Sequence, residues 1–147
     1  MSLKIDQAFI NTMMGAGLAL DIVHENGVYS TWSGSAYTTV TGVYTPVIGR
    51  AYLEIKVFPV LTDSHDLNNT DDHVGLFQCI VRYPNDTGSI AAKTKAEAVL
   101  ALFKAGTGIS YSGQTINIIS QSRDGGRVEG GYYQIVVRAN YRAFVAK

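Results

Sequence analysis

The 147-residue sequence predicts an α+β fold, a largely antiparallel β-sheet with two α-helices packed on one of its faces. Three observations predict it. Two stretches carry apolar residues at helical spacing, several runs alternate apolar and polar residues at the strand period of two, and clusters of Gly, Asn, Asp and Pro separate them. The length argues for one domain, residues 1–147.

In the first element Leu3, Ile5, Phe9, Ile10 and Met13 recur mostly three and four apart, which predicts an amphipathic helix over Leu3–Met14, with Ser2 as its N-cap and Gly15 and Gly17 as its stop. From Gly17 to Pro46 short β-prone runs mix with Gly, Ser and Thr, so irregular chain with one or two short strands is expected. In Arg50–Pro59, Tyr52, Glu54, Lys56 and Phe58 alternate with Leu53, Ile55 and Val57. This is a strand with one apolar face, closed by Pro59, which has no N–H for a ladder. The polar run Leu61 to His73 is long for a hairpin connection, where about 2–5 residues is usual.

Val74–Pro84 is the second clear strand and ends in Pro84. Asn85-Asp86 then supply a turn, Gly88 permits a positive φ, and Ser89 is placed to cap a helix over Ser89–Phe103. Its apolar stripe is Ala92, Ala96, Val99 and Phe103, Lys93 and Glu97 are spaced for an i,i+4 pair, and Gly106 and Gly108 end it. Gly108–Ser120 reads as a hairpin turning at Ser112-Gly113, and Gln121–Gly131 as a flexible loop. In the last strand, from Tyr132, Tyr133, Ile135, Val137, Ala139 and Tyr141 share one face, with Gln134, Val136, Arg138, Asn140 and Arg142 on the other.

Composition narrows the function classes. Lys plus Arg equals Asp plus Glu at 12 each, so there is no net positive field to hold phosphates, and dedicated nucleic-acid binding is disfavoured. Only 16% of residues are charged, which suggests surface given over to partners. The single Cys79 lies in an apolar run, so no disulfide framework is expected and a reducing compartment fits. No apolar stretch approaches the ~20 residues of a membrane span, and the N-terminus does not read as a signal peptide, so a cytosolic product with no membrane partner is expected.

The only His/Asp concentration is Asp63, His65, Asp66, Asp71, Asp72 and His73, without the regular spacing that aims two ligands at one ion. It reads as a solvated acidic loop. A small metal-dependent hydrolase built on His65 and His73 is the enzymatic alternative, and a sheet-based single-strand nucleic-acid binder using Tyr132, Arg138 and Arg142 is another. No nucleophile elbow, phosphate-binding loop or calcium loop is present, so no catalytic residue, metal or cofactor is expected. Charge is uneven along the chain. Asp63 to Asp72 carries four acids and no base, whereas Arg123 to Lys147 carries five bases against Asp124 and Glu129, a pattern suited to head-to-tail contact between copies.

From Ala51 to Ala143 the ordered set Gly75, Phe77, Gln78, Tyr83, Pro84, Gly88, Phe103, Gly113 and Tyr141 resembles the tail terminator family of long-tailed bacteriophages, of the lambda type. The resemblance implies a structural, non-enzymatic virion protein of the tail and neck, assembled in the host cytoplasm. It would form a homo-hexameric ring on the last ring of the tail tube protein, stop tube polymerisation, join the tail to a head-tail connector or completion protein, and leave a channel through which DNA passes without specific binding. Under that implication Asp63, His65, Asp66, Asp71, Asp72 and His73, and Arg123, Asp124, Arg127 and Glu129, belong to loops facing the lumen or the axial partners, while Arg138 and Arg142 face a neighbouring subunit.

Overall fold

A computed structural model of the chain describes residues 3–63 and 70–146, with the backbone alone described for 61–63, 70 and 146. Helix α1 (Leu3–Met14) is followed by three short strands, β1 (Asp21–Val23), β2 (Val28–Trp32) and β3 (Tyr37–Thr41). Two long strands, β4 (Tyr52–Asp63) and β5 (Thr70–Pro84), lead to helix α2 (Ile90–Leu102), and β6 (Gly108–Tyr111), β7 (Gln114–Arg123), β8 (Arg127–Glu129) and β9 (Tyr132–Ala146) complete the fold. Among the described residues these strands make one sheet in the order β3-β2-β1-β4-β5-β9-β7-β6, with β8 also on β9. The ladders are antiparallel except β1 with β4. The α+β class and the mostly antiparallel sheet are therefore as the sequence implies.

Register explains why one face is apolar. β5 lies between β4 and β9 so that Phe77 stands opposite Val57 and Ala139, Cys79 opposite Ile55 and Val137, and Val81 opposite Leu53 and Ile135. Both helices cover that face. α1 buries Ile5, Ala8, Phe9 and Met13, and α2 buries Ala92, Ala96 and Val99, whose small side chains let its backbone come close to the sheet. Phe9 is the hub: its ring stacks on Phe77 with centroids 4.5 Å apart and meets Phe103 at 5.7 Å and Tyr141 at 5.3 Å.

Several expectations are corrected. The stretch after α1 holds three strands rather than one or two, because the Glu25-Asn26-Gly27 turn folds β2 back on β1, with Asn26 and Gly27 both at positive φ. Pro59 does not close β4. Beyond Glu54 no strand among the described residues pairs with the outer edge of β4, and the Val57 N–H on that edge donates to Glu25 Oε1 at 2.7 Å. Pro59, two residues on, presents its donorless nitrogen to the same open edge, so the strand continues with a bulge between Pro59 and Leu61. The long loops are shorter than expected. Leu61–Asp63 pair with Asp72–Val74, and Thr70 onward pairs with β9, while Arg127–Glu129 form β8. Ser89 stands at the N-cap of α2 without a side-chain cap bond; its carbonyl accepts from Lys93 N instead. Helix α2 stops at Leu102, before Gly106 and Gly108, and the Phe103 N–H donates to Leu100 O. The Ser112-Gly113 turn stands where expected, both residues at positive φ.

Candidate functional site

Asp72 and His73 are neighbours on β5, so their side chains leave opposite faces of the sheet, and both are buried. Asp72 receives Arg142 Nε at 2.9 and 3.1 Å, a fork geometry closed by Nη2. The carboxylate raises the Arg142 pKa, and the guanidinium also lies 5.3 Å from the Phe144 ring centre. Arg142, expected at a subunit surface, is thus tied to its own chain, although about half of its side chain stays exposed. His65 and Asp66, and the side chain of Asp63, lie outside the described residues. Among the described residues no group of three or more His, Cys, Asp or Glu is placed to hold a metal ion, and the buried His73 and Asp72 point away from each other.

Arg123 at the end of β7 and Asp124 after it are tied to the rest of the chain, while Arg127 and Glu129 stay exposed on β8. Arg123 Nε donates to Glu97 Oε1 of α2 at 2.7 Å, and Asp124 Oδ1 accepts from the Gly126 and Val136 N–H groups at 3.1 Å each. Arg127 pairs with Glu129 at 3.1 Å, and Glu129 also accepts from Gln134 Nε2. Tyr132, Arg138 and Arg142 do share the helix-free face, as a nucleic-acid platform would require. On that same face Glu54 neutralises Arg82 and Asp72 neutralises Arg142, which takes two cations out of the stripe such a platform needs.

A second region has no counterpart in the sequence reading. Helix α1, the β1–β2 turn and the outer edge of β4 enclose a cleft of about 490 Å³, within the ~300–1,000 Å³ range of binding pockets. Its walls are apolar, with Ile10, Met14, Val28 and Val57, and Asp6 and Glu25 stand among its polar residues. Burial, and then the Glu25 charge, raise the Asp6 pKa above its ordinary 3.8. Burial followed by the Asp6 charge pushes the Tyr141 hydroxyl up to about 12. His24 lines the cleft with Nε2 2.8 Å from Ser30 Oγ, its Nδ1 is buried without a hydrogen-bond partner among the described residues, and burial lowers its pKa toward the neutral ring. The available signals were weak: an Asp inside the apolar pattern of α1, and a Glu-Asn-Gly turn.

These carboxylates give a stability prediction. A raised folded pKa means that Asp6 contributes stability below its unfolded value and loses it as pH rises through the folded one. The opposing helix-dipole benefit of an acid in the first turn, roughly 0.3–1 kcal/mol, is smaller here than the burial cost, since the net displacement is upward. Asp6→Asn therefore raises the melting temperature at pH 7, and the gain shrinks below about pH 4. A gain that persists unchanged at acid pH would contradict the assignment.

Comparison with known proteins adds a family. The model of a family described as Phage tail terminator protein matches residues 5–141. No curated protein matches. One solved structure, whose description states no function, is similar over 95% of this chain and 92% of its own length, at 21% identity and a TM-score of 0.68, a likeness of fold.

Proposed function

The chain belongs to the phage tail terminator family, and on that premise we propose that residues 1–147 form a single terminator domain that assembles as a homo-hexameric ring on the last ring of the tail tube. The ring stops further tube polymerisation and meets the head-tail connector, leaving a channel for DNA. The observation that carries this reading is the family match from within α1 to Tyr141 of β9, which takes in nearly every element of the fold. The role is structural, in the virion tail and neck, after assembly in the host cytoplasm.

Two physical features support it. Net charge is zero, and two arginines of the helix-free face are neutralised within the chain, so a DNA channel built from such subunits would not grip its cargo. Among the described residues the sheet also ends in β3 on one side and β6 on the other, each with an edge that no further strand pairs and that is available for lateral contact. A specific contact of this kind buries about 1,200–2,000 Å². Arg138, and the exposed part of Arg142, face a neighbour in this arrangement. His65 and Asp66 between β4 and β5, with Asp63 at the end of β4 and Asp71 at the start of β5, and the segment with Arg123, Asp124, Arg127 and Glu129 face the lumen or the axial partners.

The test is polymerisation of the tail tube protein with and without this chain. Tubes that stop at a fixed length, with ends that add no further subunits, are expected. Tubes that grow equally in both conditions would overturn the proposal.

A further inference from the structure

Two features on opposite faces of the β3-β2-β1 end of the sheet answer each other. The first is the cleft between α1 and the β4 edge, on the helix side. The second is the tip that follows β3, where Val43 is 86% exposed, Val47 50% and Ile48 99%. Single exposed apolar residues are ordinary, but three within six positions on one projection are a patch.

The base of the tip is pinned. Asp21, 2% exposed, accepts from Tyr44 Oη at 3.0 Å and from Arg50 Nη2 at 3.1 Å, so the segment is held at both ends while Val47 and Ile48 project between them. Tyr44 also packs edge-on against Tyr29 at 5.3 Å and against Tyr52 at 5.1 Å. Tyr52 leaves β4 on the face opposite Leu53 and Ile55, which lie under the helices. The tip therefore stands on the far side of the sheet from its own cleft and cannot enter it.

Arg50 is the only charged side chain between Asn26 and Leu53, and its pairing with Asp21 at 3.1 Å leaves the tip without net charge to carry into the apolar cleft. Addition of a foreign strand to the β4 edge is opposed by Glu25, which occupies the Val57 N–H, and by Pro59. The cleft accepts side chains rather than backbone.

We infer that the Val43–Ile48 tip of one copy seats in the α1–β4 cleft of the next copy, with Ile48 against its apolar wall and Arg50 kept on Asp21 at the base of the tip. A contact between two different surfaces of identical chains is heterologous, and it propagates head to tail until the rotation closes a ring. This inference rests on the ring reading and names the contact that builds it.

The experiment uses two single variants of the full chain, Ile48→Cys and Asn11→Cys, mixed under oxidising conditions. Native Cys79 is fully buried and does not compete, and Asn11 lines the cleft. A disulfide-linked pair formed between the two variants, together with loss of rings in Ile48→Asp at unchanged melting temperature, is the expected result. Rings that form normally in Ile48→Asp, with no bond between the cysteine variants, would overturn the tip-to-cleft contact while leaving the ring standing. A wild-type chain that forms no ring, together with cysteine variants that form no mixed disulfide, would overturn both.

Discussion

Phe9→Ala lowers the unfolding free energy by about 3–5 kcal/mol, a large fraction of the ~5–15 kcal/mol of a typical domain. The ring is fully buried and touches three other aromatic rings, Phe77, Phe103 and Tyr141. Its removal empties the centre of the core, and backbone held by a sheet on one side and two helices on the other has little freedom to collapse into the space. It also takes the largest anchor from α1, which is otherwise held to the sheet by Ile5, Ala8 and Met13. Phe9→Leu, closer in volume, costs less than about 1.5 kcal/mol. Urea unfolding with unchanged slope measures both. Equal midpoints for wild type and Phe9→Ala would mean that the ring is not where this packing puts it.

Gly75→Ala is the second large effect, and its sign opposes the usual one. Within a strand alanine is ordinarily the better residue, by roughly 0.5–1 kcal/mol. At Gly75 an added Cβ would stand 2.4 Å from Tyr141 Oη and 2.6 Å from the Phe58 carbonyl oxygen. The tyrosine is buried under Phe9, and the carbonyl belongs to the neighbouring strand beside the Pro59/Leu61 bulge, so neither yields freely. Overpacking of this kind costs about 1–3 kcal/mol. Tyr141→Phe removes the nearest atom but keeps the ring carbon Cζ, which stands 2.6 Å from the added Cβ, so the double variant recovers part of the loss and leaves the part due to that carbon and the Phe58 carbonyl. A double-mutant cycle reads that coupling. Strict additivity of the two substitutions would contradict the contact.

What the sequence made legible follows from period. Leu3–Met14 and the alternation of β4, β5 and β9 were readable because one face of each element is buried and the spacing records it. Pro59 misled, since its effect depends on whether the strand has a neighbour on that side, which no local pattern states. The polar run after Leu61 read as a loop for a related reason. Asp72 and His73 look solvated in sequence, yet a partner from β9, Arg142, and the ladder itself take them into the fold. The surfaces were least legible. The cleft is assembled from α1, the β1–β2 turn and β4, segments far apart in the chain, and the exposed tip at Val43 to Ile48 sits in a turn-rich stretch with no period to read.

The most direct test of the terminator account is the mass of the particle the chain forms, by light scattering with negative-stain imaging, alone and on the tail tube protein. The account predicts six-membered rings with an open centre, seated at the ends of the tubes. A chain that stays monomeric under both conditions, with bare tube ends, would contradict it.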